Sequence, residues 1–165
     1  MEIRTQLLKT ILRAVSKKNF EDFKNDLGKR ESGNNYLIKN TLGYLGRWQF
    51  GMARLCDYGI VEKVEGKYKW MNGYSEEIFL NNPCLQDKVF KWHVENLKSY
   101  IEKNLYDYLG KNINGIYIDV SGLVAGSHLG GIGNVKKFLQ AGENKVDAYG
   151  TSIGSYIQNF TGYRL

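Results

Sequence analysis

One proline, two cysteines and two histidines in 165 residues remove several classes of protein at once. With a single proline and no linker, repeat or low-complexity segment, residues 1–165 read as one domain. A chain of that length buries roughly two-thirds of its unfolded surface. Cys56 and Cys84 make neither a disulfide framework nor a CxxC pair, and neither stands beside an activating base. Both read as reduced and buried. His93 and His128 lie far apart without ligand spacing, so no metal is expected. No apolar run is long enough to span a bilayer. Met1–Ser16 carries Ile3, Leu7, Ile11 and Val15 at helical spacing with charges between them. That pattern predicts a helix over about Ile3–Val15 and not a signal peptide, which needs an unbroken apolar stretch and a small-residue cleavage site. Gly130–Gly133 lacks the lysine and hydroxyl of a phosphate-binding loop.

What the chain does hold is positive charge and tyrosine. Its net charge of +6 favours a polyanion such as nucleic acid, anionic lipid or an acidic cell-wall polymer. The basic residues are scattered, the densest clusters being the pairs Lys17–Lys18 and Lys136–Lys137. No zinc-finger spacing, basic zipper or RNA-reading motif accompanies them, so nucleic acid is not the reading. Aromatics make up 13% of the chain and twelve of them are tyrosines, a residue suited to a core edge or to a sugar cleft.

Periodicity gives a mostly helical α+β chain. Asn19 caps a helix with Glu21 and Asp22 in its first turn and Phe20, Phe23 and Leu27 inward, fading over Gly28–Glu31. Met52–Tyr58 suits a short helix. Ile60–Met71 predicts a small hairpin turning at Glu65-Gly66. Asn82-Pro83 starts a long amphipathic helix carrying Leu85, Val89, Trp92, Leu97, Tyr100, Ile101, Leu105 and Tyr108, stopped by Gly110. Further helices are expected over Val120–Leu129, whose Gly122, Ala125, Gly126 and Ser127 permit close packing, over Asn134–Gln140, and from Thr151 through Phe160.

Glu31 is the candidate catalytic group. A carboxyl at the C-terminal end of a helix, or one buried, has its proton held more tightly and can serve as an acid near neutral pH. The ordinary alternative is an exposed helix-end glutamate paired with Lys29 or Arg30. The irregular stretch behind it, rich in glycine, amides and aromatics up to Gly51, suits a loop that holds a polar ligand such as a sugar.

Glu31-Ser32, with Tyr36 following, resembles the Glu-Ser motif that opens the catalytic region of lytic transglycosylases and goose-type lysozymes. Gly43-Tyr44-Leu45-Gly46-Arg47-Trp48-Gln49 is similar to their Gly-x-x-Gly-Leu-Met-Gln stretch, with Arg47-Trp48 in place of Leu-Met. Ala125-Gly126-Ser127-His128-Leu129-Gly130 resembles their Ala-Tyr-Asn-Ala-Gly motif, with His128 in place of asparagine and one extra residue in the glycine turn. Gly133 and Val135 match beyond it. Tyr156-Ile157 resembles the closing Tyr-Val element. The four motifs fall in order across nearly the whole chain.

The resemblance implies a lysozyme-like fold with a small β-hairpin, and cleavage of the β-1,4 bond between N-acetylmuramic acid and N-acetylglucosamine. Glu31 would be the general acid and then base, with no cofactor. It also implies substrate-binding roles for Ser32, Tyr36, Gly46, Trp48, Gln49, His128 and Tyr156, the last beside the acid. Each has an ordinary reading: Ser32 as a turn residue, Gln49 as an exposed amide, Trp48 and Tyr156 as core aromatics. Two carboxylates are usual in glycosidases; Asp26, Asp57, Glu62 and Glu65 read as surface charges, and in the resembled family one glutamate suffices. The expected partner is the peptidoglycan glycan strand, met as a monomer. With no signal peptide, the protein would be made in the cytoplasm and act at the wall after delivery by another system, such as a phage or secretion machine. The rival reading is a non-catalytic glycan-binding or structural domain on the same fold.

Overall fold

The computed structural model describes residues 18–165, so the helix expected over Ile3–Val15 lies outside the described residues. Within them the chain is α+β and mostly helical. The sequence reads as one domain; the described residues gather into two compact units, residues 18–23 with Asp107–Leu165, and Lys24–Tyr106. Helix α1, Phe20–Ser32, begins in the first unit and runs on into the second.

The start of α1 follows from its sequence. Asn19 Oδ1 accepts from the Asp22 amide at 3.0 Å, and Asp22 returns the bond by accepting from the Asn19 amide at 2.9 Å. The helix runs unbroken through Gly28–Glu31, where it was expected to fade, and ends one residue beyond, at Ser32. Gly28 is buried within the helix, because a Cβ there would stand 2.6 Å from Nε of Arg47 and 2.5 Å from Oδ1 of Asn34. Past Ser32 the chain leaves the helix, where Gly33 and Asn34 turn left-handed at φ 66° and 64°.

In the unit Lys24–Tyr106, α2 (Met52–Tyr58) leads into a hairpin of β1 (Val61–Val64) and β2 (Lys67–Trp70), paired Val61 to Trp70 and Val64 to Lys67. A short helix that periodicity did not reveal, α3 (Glu76–Leu80), is capped by Ser75. Then comes α4 (Pro83–Asn104), started by Asn82, whose Oδ1 accepts from the Leu85 amide at 3.0 Å. It ends before the Gly110 stop, at Asn104. Leu45, Trp48, Phe50, Leu55, Phe79, Val89, Phe90 and Ile101 are buried.

The other unit holds a second hairpin, β3 (Asn112–Ile113) with β4 (Ile116–Tyr117), and helices α5 (Val120–Gly130), α6 (Ile132–Ala141) and α7 (Ile153–Asn159). Asp119 caps α5 through Oδ1, accepting from the Gly122 amide at 2.8 Å. Its Oδ2 accepts from the Gly162 amide at 2.7 Å, tying the C-terminal segment to the start of α5. Gly122, Gly126 and Gly130 fall on one face of α5, where a Cβ would meet Ile157 or Ile153 of α7 at 2.7–2.9 Å. Close packing by small residues is therefore what this helix uses them for.

Both cysteines are free, but Cys84 is exposed and Cys56 only half-buried, so the expectation of two buried thiols is corrected. Cys84 stands in the first turn of α4, directly after the proline, on a side turned to solvent. No helix among the described residues is long and apolar enough to cross a membrane.

Candidate functional site

Glu31 lies in the last turn of α1, partly exposed, followed by an ordered loop. That loop is fixed by backbone bonds: Leu45 exchanges both with Phe50 at 2.9 and 3.0 Å, and Gly46 donates to the Ile38 carbonyl at 2.8 Å. Asn40 closes its turn, its Oδ1 accepting from the amides of Leu42 at 2.9 Å and Tyr44 at 3.0 Å. Leu37, Leu42 and Tyr44 stay exposed on it.

The hub of the loop is Arg47, only 7% exposed. Its Nε donates to Asn34 Oδ1 at 2.9 Å, Nη1 to the Tyr36 hydroxyl at 2.8 Å and Nη2 to Asn25 Oδ1 at 2.6 Å. The guanidinium also lies over the rings of Trp48 and Tyr36, 4.8 and 5.2 Å from their centroids. Tyr36 passes the network on, donating to Asp87 Oδ1 at 2.7 Å, while Asp87 Oδ2 takes Lys24 Nζ at 2.6 Å. Burial, and then the bond to Asp87, raise the Tyr36 phenol above its ordinary pKa; Arg47 pulls the other way more weakly.

Below the hub sits Gln86, fully buried. Its Oε1 accepts from the Arg47 amide at 2.9 Å, and its Nε2 donates to the carbonyls of Tyr36 at 3.0 Å and Phe79 at 2.9 Å. Gly46 is needed for this contact: a Cβ there would collide with the Gln86 amide, and φ is 73°.

The residues expected to bind substrate fall as follows. Glu31, Ser32, Tyr36, Gly46, Trp48 and Gln49 belong to the unit Lys24–Tyr106; His128, at the end of α5, and Tyr156, in α7, belong to the other. The Ser32 hydroxyl donates to the Arg47 carbonyl at 2.8 Å and accepts from the Asn35 amide at 3.0 Å. Gln49 is left-handed at φ 51°, its amide folded back onto the Gly46 carbonyl at 2.8 Å. These side chains shape the loop from within. Trp48 is a correction: it is wholly buried, stacked on Phe90 at 4.3 Å with Nε1 donating to the Lys24 carbonyl at 3.2 Å, so no ring face is open to a sugar. Tyr156 is 3% exposed and packs on Phe160 at 5.5 Å; His128 is partly exposed.

Sequence reasoning missed Asn25, Asn34, Gln86 and Asp87. The only hint was Arg47 between Leu45 and Trp48, a cation that needs acceptors wherever it is buried. His93, read as a face residue, is 5% exposed and its Nδ1 accepts from Arg54 Nε at 2.7 Å. Asp57, Glu62 and Glu65 are exposed. A shallow groove of about 440 Å³ in the same unit, lined by Asn72, Tyr74, Ile78, Asn82 and Lys88 among others, contains none of the expected site residues. Among the described residues no group of three His, Cys, Asp or Glu could hold a metal ion. No family model, no curated protein and no solved structure matches this chain.

Proposed function

We propose that the chain is a peptidoglycan-cleaving enzyme of lysozyme-like fold, with Glu31 as its general acid and base. The observation that carries the reading is the placement of Glu31. It stands on the last turn of a helix, accessible to a ligand, and the following residues are locked into a polar loop by Arg47 and Gln86. The ordered motifs that resemble lytic transglycosylases and goose-type lysozymes support the same assignment.

In this mechanism Glu31 protonates the glycosidic oxygen between N-acetylmuramic acid and N-acetylglucosamine as that bond breaks. The substrate's own N-acetyl group stabilises the positive centre, and the carboxylate then takes a proton from the attacking hydroxyl. Attack by the muramic 6-hydroxyl leaves a 1,6-anhydro end; attack by water leaves a reducing end. The net charge of +6 would hold the enzyme on an anionic wall.

The test is release of soluble muropeptides from purified sacculi, with wall binding measured in parallel. Release by the wild type and none by Glu31→Gln, with binding kept in both, is the expected result. Binding by both without release would instead make the chain a non-catalytic wall-binding domain.

A further inference from the structure

We propose that Arg47 is a positioning residue for Glu31: it grips the C-terminal half of α1 on both sides of the carboxyl and so sets where that carboxyl stands. The inference rests on the glycosidase reading above. Arg47 meets α1 at three levels. Its Nη2 bonds Asn25 at 2.6 Å, its side chain fills the space over Gly28, and its carbonyl accepts from Ser32 Oγ at 2.8 Å. Positions 25, 28 and 32 lie on one face of a helix, so the contacts form a single seam ending beside Glu31. The same guanidinium bonds Asn34, which closes the helix: the Asn34 amide donates to the Gly28 carbonyl and the Gly33 amide to the Lys29 carbonyl, both at 3.0 Å. One side chain thus ties down the turn before the carboxyl and the turn after it.

Filling space does not require an arginine here. Burying a cation costs several kcal/mol of lost hydration. The structure offsets that cost with acceptors in three directions, two aromatic faces, and a negative charge reached through Tyr36 at Asp87. A planar fork of fixed donors can hold Asn25, Asn34 and Tyr36 together, which a lysine ammonium on a flexible stem does not do.

The experiment is steady-state cleavage of purified glycan strands by wild type, Arg47→Lys and Tyr36→Phe, with Tm and amide hydrogen exchange recorded for each. Loosening the carboxyl by about 1 Å should lower kcat on the order of 100-fold in Arg47→Lys. KM should stay within about twofold, since the loss falls on the transition state. Exchange at the Gly33 and Asn34 amides should quicken. Tyr36→Phe, which cuts one link, should show the same pattern more weakly, and decides the matter if Arg47→Lys fails to fold. A rise in KM with kcat unchanged would overturn the proposal, making Arg47 a support for the ligand loop alone. Unchanged kinetics would overturn it too. If the wild type cleaves no glycan, the glycosidase reading fails; unaltered exchange at Gly33 and Asn34 would then still refute the clamp.

Discussion

Replacing Gln86 with leucine should destabilise the protein by about 2 kcal/mol, although position 86 is fully buried and leucine is the more apolar residue at equal helix propensity. The magnitude follows from what the amide satisfies. Without it, the buried Arg47 N–H loses its acceptor, at a cost of about 1–3 kcal/mol, and the Tyr36 carbonyl loses a donor, at about 1 kcal/mol. The Phe79 carbonyl keeps the Asn82 amide at 3.2 Å and adds little. Leucine returns about 1 kcal/mol through extra apolar burial. The assay is equilibrium urea unfolding, with the exposed Lys88→Leu on the same helix as control, expected within about 0.5 kcal/mol of wild type. A Gln86→Leu protein as stable as wild type would refute the view that this amide organises the loop behind Glu31.

Trp48→Ala should cost about 3–5 kcal/mol in the same unfolding assay, because the indole is wholly buried on Phe90; a loss under about 1 kcal/mol would contradict its core placement. Gly122→Ala and Gly133→Ala should change Tm in opposite directions. At 122 the Cβ meets the Ile157 carbonyl at 2.7 Å and outweighs the helix propensity gained, whereas at 133 it meets nothing, leaving a gain of up to about 1 kcal/mol. Tyr36 should ionise late in an alkaline titration. Its folded pKa is raised above 10.0, so its stabilisation is whole below that pH and is lost as pH climbs through the folded value. The tyrosinate absorbance of wild type minus that of Tyr36→Phe should therefore appear above pH 10.0, and a difference centred at or below it would contradict the part-buried bond to Asp87.

Much of the scaffold was legible because it obeys local rules. Asn19 and Asn82 announce helix starts through side chains that can reach only a few residues, and Glu65-Gly66 turns a hairpin through left-handed backbone at φ 50° and 79°. Gly28 misled because glycine marks either a helix stop or a close approach, and only the position of Arg47 tells which. The short helix Glu76–Leu80 and the two-residue strands of the second hairpin are too brief to show a period. In the loop behind Glu31 the glycines were readable, but the side-chain network was not. Gln86 and Asp87 lie some forty residues from Arg47 on a helix where polar residues normally mean solvent, and nothing local marks Gln86 as buried or Asp87 as the partner of Tyr36.

Mass spectrometry of the soluble products from sacculi treated with wild type and Glu31→Gln tests the central claim most directly. The account predicts disaccharide-containing fragments from the wild type alone, ending in 1,6-anhydro-muramic acid or in a reducing sugar. Folded wild-type protein that yields no glycan fragments from walls of several chemotypes, or a Glu31→Gln protein that yields as many as wild type, would contradict it.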